Sequence, residues 1–228
     1  MDPTLTIDEL FDHMFPPAEP PVEVSIHAPR YQEPPPRQPA VVGVDLSLTG
    51  TGVAVSTGFV TTVKSKPTDD DIASRYLRLE GIVQRVVAVT PYDTALVVLE
   101  APAYASKGGH AHDRSGLWWL LVDRLARARP QAAIVEIAPT SRAKYATGKG
   151  NASKEEVLLA VERRFGGWMV GNNNEADAVV LCAAGARALG RPIDTVPERN
   201  HVVSKTLAAL LERTALTDQW ERALHPKV

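Results

Sequence analysis

Short apolar runs and longer helical spacings follow one another along the chain from residue 41 onward. The runs at 41–45, 52–56 and 59–64 have the length and composition of strands. Thr57 and Gly58, between the second and third runs, predict a tight hairpin. These three segments are therefore expected to form an antiparallel meander.

The next segments change period. Apolar residues spaced by three or four over 72–86 predict a helix, and the run at 95–100 predicts a buried strand. A second helix over 117–128 and a second buried strand over 132–137 repeat the order. Strands alternating with helices after a meander predict an α/β fold, a mixed five-stranded sheet with helices on both faces.

Two further helices are expected to begin near Ser153 and Asn174. Ser153 is followed three residues later by Glu156, which is the spacing of a capping box. After Gly190 the pattern weakens, although 205–213 is compatible with a short helix. We therefore divide the chain into a tail at 1–39, a folded domain at 40–190 and a C-terminal extension at 191–228.

The tail differs in composition from the remainder of the 228 residues. It contains ten of the 18 prolines, so it is expected to be extended or disordered. Within it, residues 5–15 place apolar side chains at helical spacing behind acidic ones. This segment is either a docking motif for a partner protein or a residual helix without a role.

Composition excludes several classes. The single cysteine, Cys182, permits no disulfide within the chain and lies among apolar residues, as a buried inert thiol does. No apolar stretch reaches the roughly 18 residues of a membrane span, and the acidic, proline-rich start is unlike a secretory signal. An intracellular, cytoplasmic protein without a membrane partner is expected.

Charge is distributed unevenly. The net charge is -2, but residues 1–39 hold seven acidic and two basic residues, so the remainder has 23 basic against 20 acidic residues. Between Glu136 and Glu155 there is no acid, and the basic residues gather there. Because local charge governs phosphate binding, a nucleic-acid partner is compatible with this chain.

Three acids interrupt apolar runs. Asp45 ends the first strand, Glu100 ends the fourth, and Asp177 lies at the start of an apolar helix. Burying a carboxylate is unfavourable unless it is paired, and carboxylates about 4 Å apart repel by roughly 4 kcal/mol per pair. If these acids converge, they require a divalent cation.

The strings around these acids resemble those of a known family. GVDLS at 43–47 with TGTG at 49–52, LEAP at 99–102 and ADA at 176–178 resemble the motifs of the RuvC Holliday-junction resolvases, which have the RNase H-like nuclease fold. The resemblance implies that Asp45, Glu100 and Asp177 bind two magnesium or manganese ions. The implied reaction is hydrolysis of a phosphodiester, leaving a nick with a 5′-phosphate.

The fourth metal ligand of the family has two candidates. The family usually has Asp or His three residues before the last aspartate, and here that position is Asn174. Asn174 shares a helix face with Asp177, whereas Glu175 offers a full charge but diverges from Asp177 in a regular helix. Geometry favours Asn174 and charge favours Glu175, which we include among the metal ligands.

The resemblance also implies a DNA interface. The two lysines that contact the scissile phosphate in the family correspond to Lys144 and Lys154. Lys154 lies at a capped helix start, where phosphate binding is favoured, and it is also a candidate catalytic residue. Tyr104 corresponds to an aromatic wedge, although a packed tyrosine is the alternative. The complete set of expected DNA contacts is Tyr104, Lys107, Arg114, Arg142, Lys144, Lys149 and Lys154.

A four-way junction has two-fold symmetry, so the resemblance implies a homodimer with two active sites, formed through the helix that contains Trp118 and Trp119. The expected activity is therefore that of a crossover junction endodeoxyribonuclease. Three alternatives are a nuclease with broad specificity for branched DNA and flaps, a non-catalytic junction-binding scaffold, and an actin-like nucleotide-binding protein. The last is suggested by the turn at 45–52.

Overall fold

A computed structural model describes residues 38–67, 69–102, 110–165 and 167–213. The predicted docking segment at 5–15, Tyr104 and Lys107 lie outside the described residues. So do most of the predicted tail and residues 214–228. The hypotheses attached to them stay predictions.

Five strands and six α-helices make up the described part of the chain. Their bounds are β1 Ala40–Asp45, β2 Gly50–Val55, β3 Val60–Lys64, α1 Ile72–Val89, β4 Thr94–Glu100, α2 Ala111–Ala128, β5 Ala133–Ile137, α3 Pro139–Thr147, α4 Lys154–Arg164, α5 Asn173–Ala188 and α6 Val202–Arg213, with a 3-10 turn at Glu198–Asn200.

The strands form one mixed sheet in the order β3-β2-β1-β4-β5. β1, β2 and β3 are the antiparallel meander, whereas β4 pairs parallel with both β1 and β5. The α/β fold with a mixed five-stranded sheet is thus confirmed. Because β1, β4 and β5 are parallel, their carboxyl ends lie at the same edge of the sheet.

Each face of the sheet is covered by helices. Val42, Val44 and Leu99 belong to a core that includes residues of α1 and α2, whereas Val41 and Val98 belong to a second core with α3, α4, α5 and α6. Alternate residues of one strand point to opposite faces. Both faces of β1 and β4 are consequently buried, which explains their continuous apolar runs.

Helix α5 crosses the sheet at unusually short range. A Cβ on Gly43 would lie 2.2 Å from the backbone oxygen of Ala178, and one on Gly52 would lie 2.0 Å from that of Asn174. The thiol of Cys182 donates to the Val41 carbonyl oxygen at 3.2 Å. Two glycines on adjacent strands therefore let the helix backbone rest on β1 and β2.

Two helices differ from the sequence predictions. Helix α2 begins at Ala111, six residues before the predicted start at 117. Its first turns lack apolar spacing and are held by the buried Asp113, which accepts hydrogen bonds from Arg75 of α1. Helix α3 was not predicted, because nine residues with alanine as the main apolar type give almost no periodic signal.

The described part of the predicted C-terminal extension packs on the same body. Val196, Val203 and Leu207 are buried in the core beside α5. Arg187 of α5 also bonds the buried Asp194 carboxylate, which accepts from the Tyr145 hydroxyl as well. The predicted short helix is confirmed as α6. Among the described residues, none of the helices has the length and apolar character needed to span a membrane.

Candidate active site

Two of the predicted acids lie at neighbouring strand ends. Val44 of β1 is opposite Leu99 of β4, so the next residues along the two parallel strands, Asp45 and Glu100, are side by side. Both share the face of their strands that α5 covers, because Gly43 lies against α5 and Val98 belongs to the same core. The first and fourth strands therefore place their carboxylates at one edge of the sheet.

The third acid comes from above the sheet. Asp177 is in the second turn of α5, which starts at the N-cap Asn172. The next residue, Ala178, has its backbone against Gly43, two residues before Asp45. The close crossing of α5 over β1 thus brings Asp177, with only 3 % of its surface exposed, to the same edge.

Electrostatics show that the three carboxylates act on one another. Burial, followed by the charges of Glu100 and Asp177, raises the pKa of Asp45 to about 7. Burial also raises the pKa of Asp177 to about 6; Arg142 lowers it, and Glu100 contributes to the rise. A raised carboxyl pKa at this position means that the charged form lacks sufficient compensation.

Arg142 lies inside the cluster. Its Nε donates to Oε2 of Glu100 and its Nη1 donates to Oδ1 of Asp177. The arginine side chain is 9 % exposed. Arg142 is one of the predicted DNA contacts, and the structure places it between two of the acids. A buried arginine is stable there because two carboxylates neutralise it.

The chemistry of the donor set fits a divalent cation, because carboxylate oxygens are the ligands that magnesium and manganese prefer. The positions of the described side chains, however, do not form a ready metal site. Within the described ranges, no three His, Cys, Asp or Glu side chains are grouped so that they could hold a metal ion. The guanidinium of Arg142 bonds one oxygen of Glu100 and one of Asp177, and these oxygens are among those that such an ion would use.

Lys154 lies close enough to act on the acids. Its positive charge lowers the pKa of both Asp45 and Asp177. It is the first residue of α4, directly after the N-cap Ser153, and its side chain is exposed. The predicted capping box is confirmed in both directions, with Ser153 and Glu156 each accepting the other's backbone N–H.

Glu175 does not join the other three carboxylates. Its Oε1 accepts a 2.7 Å hydrogen bond from the Thr62 hydroxyl of β3, and its Oε2 accepts one of 2.7 Å from the Gly171 backbone. The side chain therefore turns toward the β3 edge. Asn174, the alternative fourth ligand, has its amide nitrogen close to Gly50 of β2. The structure thus brings together Asp45, Glu100 and Asp177 without a fourth carboxylate.

Three further predicted DNA contacts, Arg114, Lys144 and Lys149, lie among the described residues. Lys144 and Lys149 are exposed, and Lys149 is 3.7 Å from Glu156 in a solvated ion pair. Arg114 of α2 lines an open pocket of about 720 Å³ beside Glu100, together with Trp118 and Trp119. Arg114 therefore lies near one acid of the cluster, Glu100.

Sequence reasoning missed the partners of these groups. Thr62 donates a hydrogen bond to the carboxylate of Glu175, which is 113 residues away along the chain, and no local sequence pattern predicts this contact. Arg142 did carry a signal, since it shares α3 with the buried residues Ala143, Tyr145 and Ala146. A basic residue on a small, alanine-rich helix face requires an acidic partner inside the protein.

Neither a family model nor a curated protein matches the chain. Solved structures do. The Thermus thermophilus RuvC structure is 20% identical, covers 68% of this chain and 99% of its own, and superposes with a TM-score of 0.52. T. thermophilus RuvC in complex with Holliday junction substrate is 18% identical with the same coverage and a TM-score of 0.51.

A further similarity is to the yeast mitochondrial Holliday junction resolvase Ydc2, which is 10% identical, covers 79% of this chain and 85% of its own, and has a TM-score of 0.42. The two RuvC structures establish the architecture, and the predicted fold class is confirmed. This chain therefore has the RNase H-like fold in the form found in RuvC.

Proposed function

We propose that this protein is a metal-dependent endonuclease that nicks Holliday junctions or related branched DNA. The observation that carries the proposal is the convergence of Asp45, Glu100 and Asp177 at the carboxyl edge of the sheet. The fold shared with RuvC and the basic side chains beside the cluster support it. The substrate class rests on the motifs around the three acids and on the RuvC complex with a junction.

Asp45, Glu100 and Asp177 would hold the divalent ions, which in the two-ion form of this chemistry supply positive charge against the phosphate and a more acidic water. The chain's own contribution is to gather three carboxylates at one place, and the raised pKa values of Asp45 and Asp177 indicate that their charged forms favour a nearby cation. The close crossing of α5 over Gly43 places Asp177 beside the end of β1. Preorganised charge of this kind stabilises the transition state.

Lys154 is positioned to bind the phosphate at the cut. It combines a full charge with the exposed N-terminus of α4, where backbone N–H groups favour anions. Its charge lowers the pKa of Asp45 and Asp177, so we expect a phosphate that contacts Lys154 to lie near these acids. Lys144 and Lys149 extend this positive surface and would contact the backbone farther along the strand.

The test is magnesium- or manganese-dependent digestion of a synthetic four-way junction, compared with Y-shaped and linear duplex DNA of the same sequence. We expect symmetric nicks with 5′-phosphates in the junction, and Asp45→Asn should abolish cleavage while junction binding persists. Equal cleavage of the Y-shaped DNA would favour the broad branched-DNA nuclease. Loss of folding in Asp45→Asn would identify Asp45 as a structural residue.

One observation favours a second candidate, a non-catalytic junction-binding scaffold. Arg142 pairs with Glu100 and Asp177 and offsets part of their charge without any metal, so the cluster has a cation of its own. A scaffold would bind the junction and leave it intact at every metal concentration. The same digestion therefore separates this candidate from the nuclease.

A homodimer suits a two-fold substrate, because each copy would cut one of two symmetric strands. Helix α2 offers an apolar residue for the contact, since Trp119 is 67% exposed. Trp118, by contrast, is tied to the body through a 3.2 Å hydrogen bond from its indole N–H to the Glu100 carbonyl oxygen. We propose that Trp119 contacts the second copy.

A further inference from the structure

We infer that Arg142 is an internal cation that occupies the acidic cluster before metal arrives and must leave Glu100 and Asp177 when a divalent ion binds. The inference rests on the proposed metal site and adds a competing residue to it. Its basis is the pair of ion pairs from one guanidinium to two of the three acids.

The location of Arg142 follows from the fold. Ile137 of β5 is opposite Glu100 of β4, and α3 starts two residues after Ile137. Arg142 is on the buried side of α3, so its side chain reaches toward the strand end and α5. The two acids it joins are 77 residues apart in the chain, and they meet only because α5 packs on the sheet.

Charge explains why an arginine is needed. A guanidinium stays protonated at all accessible pH values, so its charge is permanent. Its planar fork donates to two carboxylates at once, which a lysine ammonium does with less geometric specificity. Without it, Asp45, Glu100 and Asp177 would be three crowded carboxylates, of which Asp45 and Asp177 would still be influenced by the charge of Lys154.

The two cations are mutually exclusive at the same oxygens. Oε2 of Glu100 and Oδ1 of Asp177 point their lone pairs at Arg142 N–H groups. A divalent ion carries twice the charge and requires direct oxygen contact, so an ion that binds these two oxygens displaces the hydrogen bonds from Arg142. Arg142 therefore lowers metal affinity, and it stabilises the protein as long as metal is absent.

The first experiment measures Mn²⁺ affinity from the free-ion electron paramagnetic resonance signal, together with the melting temperature without metal. We expect Arg142→Gln to bind Mn²⁺ roughly tenfold or more tightly than the wild type, because two charge-assisted bonds no longer compete. The metal-free variant should also melt at a lower temperature. Unchanged or weaker Mn²⁺ binding by Arg142→Gln would overturn the inference.

Arg163→Gln is the matched control. It removes the same charge from an exposed position near the end of α4, about 13 Å along that helix from Lys154. Its Mn²⁺ affinity should equal that of the wild type. A similar gain in both variants would indicate a general charge effect and would contradict a role specific to Arg142.

A second experiment uses the wild-type chain, so it does not depend on the folding of Arg142→Gln. The Arg142 Nε–H resonance in a ¹⁵N spectrum, assigned by its absence from Arg142→Lys, should shift or broaden as Mg²⁺ saturates the protein. A resonance that stays in place at saturation overturns the inference.

The two experiments also distinguish failure of the inference from failure of the proposed function. Metal binding and cleavage with an unmoved Arg142 resonance leave the nuclease intact and remove the competition. Mn²⁺ binding by Arg142→Gln but not by the wild type supports the competition and removes the metal-dependent activity of the natural chain. No metal binding by either protein overturns both.

Discussion

The hydroxyl of Thr62 donates a 2.7 Å hydrogen bond to Oε1 of Glu175, which ties the start of α5 to the third strand. Thr62 also accepts a 3.0 Å hydrogen bond from the side-chain amide of Asn172, the N-cap of α5. Glu175 thus belongs to a junction between helix and sheet. Both oxygens of its carboxylate accept hydrogen bonds, one from Thr62 and one from Gly171.

Glu175→Gln should therefore leave Mn²⁺ affinity within about twofold of the wild type, and it should cost about 1 kcal/mol of stability because one donor loses its charged acceptor. Asp45→Asn should weaken Mn²⁺ binding at least about tenfold, since it removes a ligand charge. Calorimetric titration and thermal melting measure both. Equal losses of Mn²⁺ affinity in Glu175→Gln and Asp45→Asn would indicate that Glu175 is a metal ligand. A loss of Mn²⁺ affinity in Asn174→Ala but not in Glu175→Gln would favour Asn174 as the fourth ligand.

The contact of α5 with β1 predicts an intolerant position at Gly43. A Cβ there would lie 2.2 Å from the Ala178 oxygen and 2.4 Å from the Cys182 nitrogen, and both are backbone atoms that cannot turn aside. Gly43→Ala should lower the free energy of unfolding by about 3 kcal/mol or more, measured in urea.

Gly81→Ala is the control for that substitution. Gly81 lies inside α1 with no atom within 4 Å of its would-be Cβ, so alanine should stabilise the protein by about 0.5–1 kcal/mol. Opposite signs for two identical substitutions would isolate the crossing of α5. A neutral Gly43→Ala would mean that α5 is free to move away from the strand.

Stability without metal should fall as pH rises. The pKa of Asp45 is raised from 3.8 to about 7, so the folded protein holds this proton more tightly than the unfolded chain. The resulting stability is fully present below the unfolded pKa and is lost as pH rises through about 7; Asp177, raised to about 6, adds to the loss. Asp45 alone should contribute roughly 2 kcal/mol between about pH 5 and pH 7.

Urea unfolding at several pH values, with a chelator present, measures this loss. Asp45→Asn is uncharged throughout the range and should show a flatter dependence than the wild type. Saturating Mg²⁺ should restore stability at the upper end, because the ion binds the deprotonated carboxylates. Parallel pH profiles for wild type and Asp45→Asn would contradict a raised pKa at this residue.

The lysines should separate binding from catalysis. Lys144→Gln and Lys154→Gln should each weaken junction binding and reduce the slope of log K against log salt by about one, because each loses one phosphate contact. Only Lys154→Gln should also slow cleavage at saturating DNA, since its charge acts on Asp45 and Asp177. Fluorescence anisotropy and single-turnover cleavage provide the two measurements.

Lys205→Gln is the matched control for the lysines. It removes one exposed charge from α6, which carries none of the predicted DNA contacts. It should leave both the affinity and the salt slope unchanged. An equal slope change in all three variants would point to a diffuse charge effect instead of defined phosphate contacts.

Trp119→Ala should convert the proposed dimer into a monomer in sedimentation experiments. The exposed indole is a large apolar surface that an interface would bury, and such residues contribute strongly to association. Tyr92→Ala, which removes a 76% exposed aromatic ring after α1, should leave the dimer intact. A wild-type protein that stays monomeric at all concentrations would contradict the dimer itself.

Local patterns in the chain were sufficient for most elements of the fold. The apolar runs of β1 and β4 need burial on both faces, and the capping box at Ser153 sets the start of α4 through contacts within four residues. Asp45 was found because an acid at the end of an apolar strand is conspicuous in any sequence. Helix α3 escaped because its nine residues contain too little periodicity.

The amino-acid sequence by itself therefore determined the succession of strands and helices along the chain, the three candidate acids and the basic segment at 142–154. Only the tertiary structure decided that Arg142 is an internal partner of Glu100 and Asp177, and that Glu175 binds Thr62. The reason is physical: the partner of a charged side chain depends on distances between segments far apart in the chain. The close crossing of α5 over Gly43 and Gly52 sets those distances. The local sequence around each charged residue carries no information about that crossing.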